Sequence, residues 1–153
     1  MELDSFQVHR ILDFCLPKSE YRGVFARDEL PLIKVTLPYF ACVNVKNKTS
    51  IKGHWVGLYI DRNKTGFYYC SLGSAPFAEI AKFFKINAIL TLYNKRVIQN
   101  VFSNLCGYHV ICVLHQLARG KHIEDIMTQF TSNLIHNDRI VFRYVQSIVR
   151  GQT

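Results

Sequence analysis

Residues 54–72, HWVGLYIDRNKTGFYYCSL, decide the fold class. HWVGLYI and FYYCSL are rich in aromatic and β-branched residues, and DRNKTG between them is a hairpin-like connection. Upstream, LPYFACVNV (37–45) reads as another strand, joined to HWVGLYI through a turn at NKTSIKG (47–53). Three strands linked so closely form an antiparallel meander.

Helical patterns flank this meander. SFQVHRILDFC (5–15) carries apolar groups at 6, 8, 11, 12 and 15 behind a serine cap, and SEYRGVFARDELP (19–31) reads as loop or short helix. APFAEIAKFF (75–84) is amphipathic, while AILTLYN (88–94) and RVIQNV (96–101) read as short strands. A helix from about 105 to 118 ends in a basic turn and Gly120; IEDIMTQFTSNLI (123–135) is another. NDRIVFRYVQSIVR (137–150) is the last, capped by Asn137 or Asp138. The expected fold is α+β, a small central, mostly antiparallel sheet flanked by helices, in one domain spanning 1–153.

The chain has 153 residues, 49% of them hydrophobic, enough for a buried core and against global disorder. Its five cysteines (15, 42, 70, 106 and 112) form no CxxC pair, which argues against a zinc knuckle or a thioredoxin-type site. Cys106, His109 and Cys112 point in different directions on a helix, so no metal site is expected there. The N-terminus lacks the pattern of a signal peptide, and the longest apolar run, YHVICVLHQLA, is too short to span a bilayer. The expectation is a reducing intracellular compartment, free thiols and no membrane partner.

Nineteen Lys and Arg against eleven Asp and Glu give a formal charge of +8, which favours polyanionic partners. At 100° per residue, Arg139, Arg143 and Arg150 fall within about 40° of one another, opposite Ile140, Val141, Tyr144, Val145 and Ile148. This arginine line suits a phosphate backbone. An ordinary solvated helix face has the same pattern.

Cys106, in SNLCGYHVICVLHQL (103–117), stands where an apolar helix begins. Unpaired N–H groups and the macrodipole at a helix N-terminus favour a thiolate, yet buried cysteines are commonly inert filling. Position alone leaves both open. Cys112 lies in the apolar body of the helix and is core. A nucleophilic thiol needs a base and oxyanion donors. Of six histidines, His54 is distinctive, since it follows a Lys-Gly turn and immediately precedes a strand, exposed at the rim yet rigidly held. His109 caps or packs, and His9, His115, His122 and His136 have no special setting. A plain strand-edge role for His54 remains open on this ground alone.

The stretches GHWVGLYIDRNKTGFYYCSLG and QNVFSNLCGYHVICVLHQL together resemble the adenovirus-type maturation cysteine proteases, the adenain-like family, which includes homologues in other DNA viruses and virus-like elements. The family shows His-Trp opening a strand, an acid near the end of the next strand, a glutamine, and Cys-Gly opening a central helix. Gln99 stands seven residues before Cys106, the family spacing. GVFARDELP (23–31) and FTSNLIHNDRIVFRYV (130–145) extend the likeness over nearly the whole chain.

The resemblance implies the papain-like architecture shared with ubiquitin-like-protein proteases, the nucleophile at the N-terminus of a central helix. It implies Cys106 as nucleophile, His54 as general base, and Gln99 as an oxyanion-hole donor beside the Cys106 backbone N–H. The substrates would be viral capsid or core precursors with glycine and other small residues at the cleavage site. DNA or a viral peptide would serve as activator with no other cofactor, and a monomer would act in the host nucleus or virion. An isopeptidase acting on ubiquitin-like tails shares the motif order. A weak or inactive homologue that binds nucleic acid or capsid is the third reading.

The pattern breaks at one position. The family's acid stands three residues before the glycine of FYYCSLG, and Cys70 occupies that place. Either a Cys–His dyad works with Cys70, a water or a carbonyl orienting His54, or another acid substitutes, or the site is inactive. Asp61 lies seven residues past His54, over about 20 Å along a strand, too far to substitute.

Overall fold

The computed structural model describes residues 2–45 and 54–151; the expected turn at 47–53 lies outside them. Helix α1 (Ser5–Cys15) leads into strands β1 (Tyr21–Ala26), β2 (Tyr39–Asn44), β3 (Trp55–Ile60) and β4 (Thr65–Tyr69). Helix α2 (Ala78–Asn87), β5 (Leu90–Tyr93) and helices α3 (Cys106–Ala118), α4 (Ile123–Met127) and α5 (Leu134–Arg150) complete the chain. The five strands form one sheet in chain order. β2, β3 and β4 are the expected antiparallel meander, while β1 and β5 pair in parallel at its two edges. The fold is α+β.

Both faces of the sheet are covered, which is why β2 and β3 read as continuous apolar runs rather than alternating ones. Period-two alternation sends Trp55 to one face and Val56, Leu58 and Ile60 to the other. On the first face α3 packs with α1 and α5; on the second, Ile80, Phe83 and Phe84 of α2 close the core. α3 approaches β3 closely because Gly57 has no side chain. A Cβ there would lie 3.2 Å from Leu114 and Val110.

Gly66 permits the same closeness on the second face. A Cβ at 66 would stand 2.6 Å from Cδ1 of Phe84, a buried ring. Gly66→Ala is therefore expected to lower unfolding free energy by about 1–3 kcal/mol through overpacking. Urea unfolding with an unchanged m-value measures it; an unchanged midpoint would refute the close contact.

Several sequence expectations are corrected. Residues 21–26, expected as loop or short helix, form β1. Its parallel partner β2 begins thirteen residues after β1 ends, a non-local pairing that leaves no trace in local periodicity. Residues 96–101 form a loop rather than a strand, its Ile98 and Gln99 amides donating to the Ser71 carbonyl. α4 stops at Met127 instead of running to 135. α1 is capped by Asp4 in a capping box with Gln7, not by Ser5. α5 begins at Leu134 with Asn133 as its cap; Asn137 and Asp138 lie inside the helix, buried.

Candidate active site

Three neighbouring features of the fold meet at one end of the sheet: the start of β3, the end of β4 and the tip of α3. His54 precedes β3, and its carbonyl accepts from Val45 N–H at 2.8 Å, fixing the residue at the rim of the β2–β3 pair. Cys70 follows β4, the antiparallel neighbour of β3. The chain reversal thus sets the two side by side, and His54 Nε2 lies 3.2 Å from Cys70 Sγ. The residue standing where the resemblance expects an acid contacts the expected base.

The backbone of Cys70 is clamped. Its N–H donates to Asn94 Oδ1 at 3.2 Å, and Asn94 Nδ2 donates to its carbonyl at 2.6 Å. Asp61, by contrast, serves the hairpin at the far end of β3, accepting from the Asn63 and Thr65 amides at 2.9 Å each.

Cys106 is the first residue of α3, and the preceding Leu105 offers no side-chain cap. The backbone N–H groups of Trp55, Gly107 and Cys106 itself face the thiol and favour the thiolate. Trp55 is the residue after His54, so the thiol sits beside the strand that His54 precedes. A Cβ on Gly107 would lie 3.2 Å from Val8 Cγ2, so the glycine lets the helix tip settle closely against α1. The thiol is only 6% exposed. Burial outweighs the amides and pushes the Cys106 pKa up, contrary to the thiolate that the helix terminus alone suggests.

Burial likewise lowers His54 to about 4, with the nearby His109 adding to the effect. At neutral pH the resting site therefore holds a thiol and a neutral imidazole.

Gln99 is buried, 3% exposed, in the loop leading to α3. Its Oε1 accepts from Ser71 Oγ at 2.5 Å. Its Nε2 donates to the Ser103 carbonyl at 3.0 Å and to Ser103 Oγ at 3.3 Å. The amide is thereby directed toward the segment just before Cys106.

His109, one turn along α3, is fully buried in a polar chain. A carboxylate can only accept, so His109 Nε2–H donates to Asp138 Oδ1 at 2.9 Å and Nδ1 accepts from Tyr69 O–H at 3.1 Å. Burial holds the ring neutral against the pull of Asp138. Asn137 Nδ2 donates to the Ile98 and Thr131 carbonyls. The sequence carries a signal for the burial of Asn137, which falls on the α5 wheel at about 160° from Arg139, in the middle of the apolar face.

The other histidines pair with tyrosines or sit at helix starts: His9 with Tyr21, His115 with Tyr144, His122 at the α4 cap and His136 exposed in the first turn of α5. Among the described residues no cluster of three or more His, Cys, Asp or Glu could hold a metal ion. Among them, too, no helix is long and apolar enough to cross a membrane. Arg139, Arg143 and Arg150 are exposed on α5. The first two border a groove with Leu105 and Phe142, while Arg150 borders a different groove beside Arg10.

No protein-family model matches the chain, and neither does any curated protein sequence. Solved structures do. A crystal structure of the ASFV pS273R protease superposes with a TM-score of 0.68 at 15% identity, over 94% of this chain and 66% of that one. A selenomethionine crystal structure of the same protease gives a TM-score of 0.50 at 16% identity, over 65% of this chain and 40% of that one. The chain thus spans less than two thirds of the length of either. At this identity the likeness concerns the fold: a five-stranded sheet flanked by helices, similar to that of the ASFV pS273R protease.

Proposed function

We propose that this chain is a cysteine endopeptidase of viral precursor proteins in which Cys106 is the nucleophile and His54 the general base. The contact of His54 Nε2 with Cys70 Sγ carries the reading, because it occupies one imidazole nitrogen and leaves Nδ1 for the thiol. The fold shared with a viral protease supports it.

In the reaction, Nδ1 takes the Cys106 proton as sulfur attacks the scissile carbonyl carbon. A tetrahedral oxyanion forms, with the Gln99 side-chain N–H and the Cys106 backbone N–H as its donors. Collapse breaks the C–N bond, and Nδ1–H protonates the departing amine. Water, deprotonated by Nδ1, then hydrolyses the thioester and frees the thiol. Because the resting pair is uncharged, proton transfer accompanies attack rather than preceding it. Glycine-containing cleavage sites fit the sequence resemblance. The exposed Arg139, Arg143 and Arg150 supply a phosphate-binding line that would hold the enzyme on nucleic acid.

Treating the intact protein with a Gly-Gly peptide carrying a C-terminal vinyl methyl ester tests the assignment. Peptide mapping is expected to place the adduct on Cys106 alone of the five cysteines. An adduct on the partly exposed Cys15, or none on Cys106, would overturn it.

A further inference from the structure

We propose that Ser71 is a positioning residue for the oxyanion donor, holding the Gln99 amide so that its N–H end is aimed and strengthened. This rests on Gln99 acting as proposed above. Ser71 follows Cys70 in the turn that the Gly73 N–H closes onto the Cys70 carbonyl at 2.9 Å. Cys70 Sγ meets His54, while Ser71 Oγ, fully buried, meets Gln99 Oε1. One dipeptide serves both halves of the machinery, and Asn94 clamps its backbone. The same residue holds the Gln99 main chain, since the Ser71 carbonyl accepts from both Ile98 and Gln99 N–H at 2.8 and 3.0 Å.

The amide's orientation is chemically determined. The Ser103 carbonyl can only accept, so the nitrogen end faces it, and Oε1 must face Ser71. With Oε1 as acceptor, the Ser71 hydroxyl has to donate. Gln99 Nε2 has two hydrogens, and the adjacent Ser103 carbonyl and hydroxyl oxygens can share one, leaving the other for a substrate oxygen. A hydrogen bond received at Oε1 polarises the amide and makes its N–H groups better donors, more so in a dry site. Without the serine hydroxyl, Oε1 would be buried with no partner and the amide would tilt to find one.

Ser71→Ala is expected to lower kcat for a Gly-Gly peptide amide about tenfold with KM nearly unchanged. Alkylation of Cys106 by iodoacetamide, which forms no oxyanion, should stay within twofold of the wild type. Ser71→Thr, which keeps the hydroxyl, should recover most of the lost rate. In Gln99→Ala, adding Ser71→Ala should cost nothing more.

Equal losses in hydrolysis and alkylation would mean a general disturbance and overturn the proposal. Unchanged hydrolysis in Ser71→Ala, with Gln99→Ala impaired, would overturn it while leaving the proposed function standing. Full activity in Gln99→Ala would overturn the oxyanion reading together with this one.

Discussion

Placing aspartate at position 70 is expected to raise the reaction of Cys106 with iodoacetamide at pH 7 by about 10- to 100-fold. In the wild type, burial pushes the thiol up and His54 down to about 4, so thiolate is scarce at neutrality and the alkylation rate climbs with pH without a plateau below the alkaline range. Cys70 Sγ at 3.2 Å is a weak acceptor for Nε2–H and brings no carboxylate to hold an imidazolium. A carboxylate there would favour the charged ring, raise its pKa and so stabilise a thiolate–imidazolium pair. The rate profile should then show a plateau beginning below pH 8 that His54→Ala removes.

The contribution of His54 to stability should reverse its pH dependence in the same variant. The wild-type ring has a folded pKa of about 4, below its ordinary 6.5, so the unfolded chain binds the proton first. Its contribution to stability is accordingly lost as pH falls from about 6.5 to 4. In Cys70→Asp the folded pKa lies above the unfolded one. The contribution is then fully present below the unfolded value and lost as pH rises through the folded one. A stable variant with no gain in alkylation at pH 7 would show that His54 and Cys106 do not exchange a proton.

This site was legible where its chemistry depends on residue order and obscure where it depends on packing. Local pattern marks His54 and Cys106 as a strand start and a helix start, but only the resemblance to the adenain-like family gives them roles. Cys70 could be located by counting back from Gly73, and its contact with His54 follows from the antiparallel pairing of β3 with β4. The ionisation state could not be foreseen. The helix tip favours a thiolate, but desolvation depends on α1, Trp55 and the sheet closing over the sulfur, and that burial arises only in the assembled core. β1 was missed for a related reason, since a parallel edge strand is defined by a distant partner. Ser71 and Asn94 carry no sequence signal, being a serine and an asparagine in turn-like surroundings; only their contacts distinguish them.

Gln99→Ala is expected to lower kcat for peptide hydrolysis by about 10²- to 10³-fold while KM changes little. The side chain is 3% exposed and both ends of its amide are engaged, so the donor is already oriented and needs no reorganisation when the oxyanion forms. A fixed N–H dipole in so dry a place acts on developing charge far more strongly than it does on a neutral carbonyl. The loss should therefore fall on the transition state, leaving substrate binding and Cys106 alkylation close to the wild type. Gln99→Glu sharpens the test at constant shape. Its carboxylate still accepts from Ser71, but it has no hydrogen to offer and would set negative charge against the Ser103 carbonyl and the oxyanion. Hydrolysis in Gln99→Glu should fall below that of Gln99→Ala. If the two variants were equally active, or if KM rose in place of a fall in kcat, Gln99 would be a structural amide of the 98–105 loop, and the oxyanion would rest on the backbone N–H of Cys106 at the tip of α3.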